Sequence, residues 1–231
     1  MFPFFYDPYF FLILIGMGLS ALASMLVQST FSRYSNVLSQ SNLTGEQAAQ
    51  AILADQAIHN VTVHAIAGNL TDNYNGQNKT LNLSEATFNQ TSVAAIGVAA
   101  HEVGHAIQDA QNYVPMRLRA RIVPVANLGA SLSMPLILLG IFLGMNQMLI
   151  NIGILAFAAV LVFQVVTLPV EFDASRRAIA SLRNQNLLTE TELSAVKKVL
   201  TAAAFTYIAS ALSTFLQLLR LVLLFSNRNN D

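Results

Sequence analysis

Four long apolar runs constrain this chain more than any other feature. Residues 10–27, 123–145, 148–168 and 202–225 contain no Asp, Glu or His, and among them only the last carries a basic residue, Arg220. At about 1.5 Å per residue, each run with its flanks can cross a hydrocarbon core roughly 30 Å thick. The rest of the composition agrees: 10% of residues are charged and 54% hydrophobic, whereas soluble domains carry about 25% charge. The residues before the first run, MFPFFYDPY, hold Asp7 and no Lys or Arg, unlike the basic start of a cleaved signal peptide. The run is therefore expected to be an uncleaved anchor.

Four crossings put residues 32–121 and 171–201 on one side of the membrane, because a single hairpin separates them. Arg33, Lys79, Arg117, Arg119, Arg121, Arg176, Arg177, Arg183, Lys197 and Lys198 all fall on that side, against Arg220 and Arg228 elsewhere. The positive-inside rule makes the shared side cytoplasmic. Six Asn-x-Ser/Thr sequons, at Asn42, Asn60, Asn69, Asn78, Asn82 and Asn89, would mark a lumenal domain in a secretory protein. A segment this rich in Asn and Thr generates them by composition.

The polar segment 32–121 reads as the globular part. Thr44 and Gln47 have capping-box spacing and predict a helix over 45–55. VTVHAIAG, NLTDNY and KTLNLSE are β-prone, with Asn75-Gly76 between the last two as a turn signal, which predicts a small sheet containing a hairpin. Residues 91–110 are rich in Ala and Ile without Pro and predict a helix. A second capping-box pair, Thr189 and Glu192, lies in the polar segment after the hairpin.

The helix over 91–110 carries AAHEVGHAIQ, in which His101, Glu102 and His105 spell H-E-x-x-H. Positions i and i+4 share a helix face, so both imidazoles can reach one zinc ion, while Glu102 can reach a water on it as general base. At this His and Glu content the pattern arises by chance about once in 500 such sequences. Zero net charge leaves no bulk field to draw nucleic acid. With no cysteine in the chain, only His, Asp and Glu are available as strong ligands.

A catalytic zinc needs a third protein ligand on the same side of the membrane. The candidates are His59, His64, Asp72, Glu85, Asp109, Glu171, Asp173, Glu190 and Glu192. Glu171 is the first choice, because it follows Pro169-Val170 where the hairpin returns the chain to the point it left. Asp173 stands next, as an alternative ligand or as an acceptor for an imidazole N–H. Tyr74, Arg177 and Tyr207 are each candidates to stabilise the oxyanion of a tetrahedral intermediate. An exposed edge of the hairpin could also take up a peptide as an added strand.

AAHEVGHAIQ, LPVEFDASRRA, LTDNYNGQNKTLNLSE and FYDPYF together resemble the YugP-type neutral zinc metallopeptidases of bacterial membranes, distant relatives of the HtpX-type membrane proteases. The resemblance covers nearly the whole chain. It implies a zinc endopeptidase with His101, His105 and Glu171 as ligands and Glu102 as base, its active site at the cytoplasmic membrane face. Two positions depart from the implied pattern. Asp72-Asn73-Tyr74 stands where Asp-His-Tyr is expected, and Ser175 stands where the HtpX-type Glu-x-x-x-Asp ends in Asp.

The expectation is a mainly α membrane protein with about four transmembrane helices and a membrane-flanking, zincin-like α+β catalytic part containing a small β-sheet. Residues 1–31 form the N-terminal anchor, 32–121 the catalytic part with the β-hairpin and HEVGH helix, and 122–170 the transmembrane hairpin. Residues 171–201 form a cytoplasmic helical segment with the third ligand, and 202–231 the last span and tail. One Zn2+ per chain, a peptide or membrane-protein substrate, the lipid bilayer, no nucleic acid and a regulatory membrane partner of unknown identity complete the reading. A non-catalytic scaffold stabilised by zinc is the competing function; it has no use for Glu102. A metal-ion transporter would need ligands within the spans, where none stands.

Overall fold

The computed structural model describes residues 7–226. Its elements, in chain order, are α1 (Phe10–Ser35), α2 (Gly45–Asp55), β1 (Thr62–Ile66), β2 (Asn73–Asn75), β3 (Thr80–Ser84), α3 (Val93–Ala110), α4 (Val114–Phe142), α5 (Gln147–Asn184) and α6 (Glu190–Ser226). The molecule is mainly helical with one small sheet, and α1, α4, α5 and α6 are long and apolar enough to cross a membrane.

The helices outrun the apolar runs that announce them. α4 begins at Val114, with Pro115 in its first turn, where a missing N–H costs nothing. α5 passes through Pro169 and continues to Asn184, so Glu171 lies on the same helix as the third apolar run. Backbone hydrogen bonding continues wherever the next residue can adopt helical angles, whether its side chain faces lipid or water. A change of composition therefore marks a membrane boundary without marking a helix end.

The chain divides into two compact units. The first comprises the described part of Met1–Ser24, Leu118–Leu168 and the described part of Thr206–Asp231. Small residues let its helices approach: a β-carbon at Gly16 would lie 2.6 Å from Ser213 Oγ, and one at Gly153 would lie 2.6 Å from Ile137 Cγ1. Arg220 does not stand alone in the last run, for its Nε and Nη2 reach Asp7 Oδ2 at 2.6 and 2.5 Å. Ile137, Ile150, Leu221 and Phe225 form a buried cluster in this unit, while most large side chains of α1 stay exposed, as a lipid-facing helix requires.

The second unit comprises Met25–Arg117 and Pro169–Phe205. Its core draws Ile52 from α2, Leu81 and Leu83 from β3, Ile96 and Val103 from α3, Leu182 from α5 and Val196 from α6. α2 begins as its capping box requires: Thr44 Oγ1 accepts the Gln47 N–H and Gln47 Oε1 accepts the Thr44 N–H, at 3.2 and 3.0 Å. The second capping box closes likewise, with the Thr189 N–H donating to Glu192 Oε2 at 2.8 Å. Glu192 also accepts the Gln40 N–H, which fastens the segment after α1 to the start of α6.

The sheet has the order β1-β3-β2, with β1 parallel and β2 antiparallel to β3. β3 is the central strand and turns Leu81 and Leu83 into the core. Asn75-Gly76 opens a turn longer than two residues, since Asn75 Oδ1 accepts the Gln77 N–H at 2.9 Å and Lys79 takes φ +55° before pairing resumes. Asp109, one turn beyond His105, anchors this hairpin to α3. It accepts from Tyr74 Oη at 2.7 Å and from Lys79 Nζ at 2.5 Å.

Candidate metal centre

α3 starts at the N-cap Ser92, whose hydroxyl accepts the Ala95 N–H, and buries nearly every residue from Val93 to Gln108. A helix of small residues can be surrounded closely, and at Gly104, the fourth residue of HEVGH, the backbone of α5 packs directly against α3. A β-carbon there would lie 2.5 Å from the Ala174 carbonyl oxygen. The glycine brings the histidine pair within reach of the α5 carboxylates. Gly104→Ala forces two backbones apart and should lower thermal stability by about 1–3 kcal/mol, as overpacking generally does. Because the shift falls between the two ligand-bearing helices, zinc affinity should fall with it; unchanged affinity by chelator competition would show that this approach does not set the cluster.

His101, His105 and Glu171 come together. Their ligand atoms all lie within 4.8 Å of one another, and the two imidazole rings meet edge to face with centroids 4.8 Å apart. Glu171 Oε2 is 3.3 Å from His101 Nε2 and 3.5 Å from His105 Nε2. Tetrahedral zinc with bonds of about 2.0–2.1 Å separates its ligand atoms by about 3.3 Å. The donor set therefore fits that ion, and the two carboxylate–imidazole separations match its spacing.

The outer nitrogens are occupied. His101 Nδ1 lies 3.1 Å from Ser175 Oγ, and His105 Nδ1 lies 3.0 Å from Gln108 Oε1. Burial pushes the Glu171 carboxyl up, but hydrogen bonds and charge from His101 and His105 outweigh it and hold the group well below the usual carboxylate range. For His105, burial pushes the imidazole down, and the hydrogen bond to Glu171 with the charges of Glu102 and Glu171 pulls it above its ordinary value. Glu102 is itself buried, one residue on from His101 and close enough for its charge to act on His105.

Asp173 lies outside the three-residue cluster. Its carboxylate accepts from Gln108 Nε2 at 3.0 Å, from Arg177 Nε at 2.5 Å and from Arg176. Burial pushes it up, and these three partners bring it below its ordinary value. Arg177 also donates to Gln111 Oε1 at 2.6 Å and sits over the Tyr113 ring. The Tyr74 hydroxyl is engaged by Asp109, and burial followed by that bond raises its pKa, which keeps it a donor. Tyr207 belongs to the other compact unit. His59 and His64 stand apart from the cluster, the latter paired with Thr62.

Of the two residues behind the imidazoles, Gln108 was not named from the sequence, and Ser175 was named only as a departure from the HtpX-type pattern. Gln108 is three residues after His105 and Ser175 four after Glu171, so both share a helix face with a ligand. For Gln108 that spacing was the only signal. Ser175 puts a hydroxyl against His101 at the position where the HtpX-type pattern places a carboxylate.

Comparison with known proteins places these residues in context. The family described as "Putative neutral zinc metallopeptidase" matches residues 9–226. The chain is 40% identical over 223 residues to "Putative membrane protease YugP" of Bacillus subtilis (strain 168), covering 96% of this chain and 99% of that protein. No solved structure matches.

Proposed function

The chain belongs to the neutral zinc metallopeptidase family, and from that premise we propose that it is a membrane-anchored zinc endopeptidase acting on membrane or membrane-proximal proteins. One observation carries the reading: two helices bring the ligand atoms of His101, His105 and Glu171 within 4.8 Å of one another, a cluster able to hold a metal ion, with the buried carboxylate of Glu102 in the same helical turn. Three protein ligands leave a coordination position open, as catalytic rather than structural zinc sites do.

His101 and His105 would hold one zinc through Nε2, and Glu171 through its carboxylate. When bound, zinc supplies Lewis-acid polarisation of the scissile carbonyl and makes water more acidic. The Glu102 carboxylate accepts the proton of the attacking water and returns it to the leaving amine. Gln108 and Ser175 hold the imidazoles from behind, and Asp173 with Arg176 and Arg177 secures Gln108.

Zinc measured by elemental analysis on detergent-purified protein, beside hydrolysis of a quenched-fluorescent peptide library, tests this. About one zinc per chain, with cleavage lost to a chelator and restored by zinc, is expected. Protein with no zinc above trace overturns the reading, and zinc without hydrolysis favours the scaffold.

The distribution of basic residues supports a site facing the cytoplasm of a bacterial membrane. The chain has no cysteine, so a single introduced thiol reports sidedness without background. His59→Cys, at an exposed position, should react with an impermeant maleimide in inside-out vesicles and stay protected in right-side-out ones. The opposite pattern would reverse the orientation.

A further inference from the structure

The proposal that follows rests on His105 being a zinc ligand, and concerns what makes it one. Gln108 is fully buried, at 0% exposure, so water cannot take over its hydrogen bonds. Its Nε2 donates to the Val170 carbonyl at 2.8 Å and to Asp173 Oδ2 at 3.0 Å. A carbonyl and a carboxylate can only accept, and an amide nitrogen has two protons. Both are thereby assigned, and the amide cannot be turned over.

Gln108 Oε1 consequently faces His105 Nδ1, and an amide oxygen only accepts. The proton of neutral His105 must then sit on Nδ1, and its Nε2 lone pair faces Glu171, 3.5 Å away. His101 is under no such compulsion. Its outer nitrogen meets the hydroxyl of Ser175, which can donate or accept by rotating.

We propose that Gln108 is the positioning residue of the metal centre, fixing His105 as the Nδ1–H tautomer and tying that imidazole to α5 through Val170 and Asp173. Asp173 then serves the site without touching the metal: it holds the Gln108 amide in one sense. Arg177 holds Asp173 in turn, braced by Gln111 and the Tyr113 ring. A run of directional bonds thus leads from the ligand nitrogen out to the end of α3.

Nitrogen-15 histidine-labelled protein in detergent, stripped of metal and held in alkaline buffer, gives the first test. Long-range proton–nitrogen correlation separates protonated from lone-pair ring nitrogens, and a His105→Asn sample assigns the signals. His105 should show a protonated Nδ1 and a bare Nε2. A protonated Nε2 in the wild-type protein overturns the proposal.

Gln108→Met keeps the length and burial of the side chain and removes its polar ends. It should release the tautomer preference of His105 and weaken zinc binding about 10–100-fold in chelator competition, the range for residues that orient a ligand. A folded Gln108→Met protein that keeps both the tautomer and wild-type affinity also overturns it. Wild-type protein that never takes up zinc would defeat the proposed function instead, and the metal-free spectrum would still decide the role of Gln108.

Discussion

Glu102→Gln is expected to retain zinc at the wild-type level and to lower peptide hydrolysis about 10²–10⁴-fold, the range for removing a general base. The substitution preserves side-chain shape, so the buried position next to His101 stays filled. What it removes is the capacity to take a proton. Metal content by elemental analysis and turnover of the quenched-fluorescent peptide library, on the same preparation, check both halves of the result. Undiminished turnover would dismiss Glu102 as base. Loss of zinc together with turnover would give Glu102 a part in holding the metal.

Glu171→Ala has the larger effect on metal. It removes one of three ligands and leaves His101 and His105 with no carboxylate in their cluster. Zinc affinity should drop by more than the roughly 100-fold upper end seen when only an orienting neighbour is lost. Asp173→Ala provides the internal standard, because Asp173 contacts Gln108, Arg176 and Arg177 and stands outside the cluster. Its loss should fall within the 10–100-fold range. An inverted order, with Asp173→Ala the more damaging, would move the third ligand to Asp173 and require a different packing of α5 against α3.

The apolar runs, the first capping box and the H-E-x-x-H spacing were legible in the sequence because each acts over a few residues of one element. α2 starts where its capping pair indicates and ends at Asp55, as expected. Glu171 was reachable by topology, since a hairpin returns the chain to its starting side. The parallel pairing of β1 with β3 was not legible, for it joins Thr62 to Thr80 across an intervening strand, and no local pattern encodes that. Gln108 was hidden for a different reason, and so was the contact that Ser175 makes with His101. Many residue types can satisfy an imidazole N–H, so such partners carry no spacing rule of their own. The Asp7–Arg220 pair was likewise unmarked, as it links the two ends of the chain.

The separation of 70 residues from His101 to Glu171 also fixes an order of events during synthesis. At about 5–20 residues per second, the ribosome completes Glu171 roughly 4–14 s after His101. Until then a nascent chain carries both imidazoles and the Glu102 carboxylate, but lacks the third member of the cluster. Gly104 likewise has no Ala174 backbone to pack against until α5 exists. A chain stalled or truncated within the hairpin therefore lacks the complete three-residue cluster. Because its members are split between two helices, the cluster forms only once the third apolar run has been synthesised, whereas the H-E-x-x-H helix alone is complete far earlier.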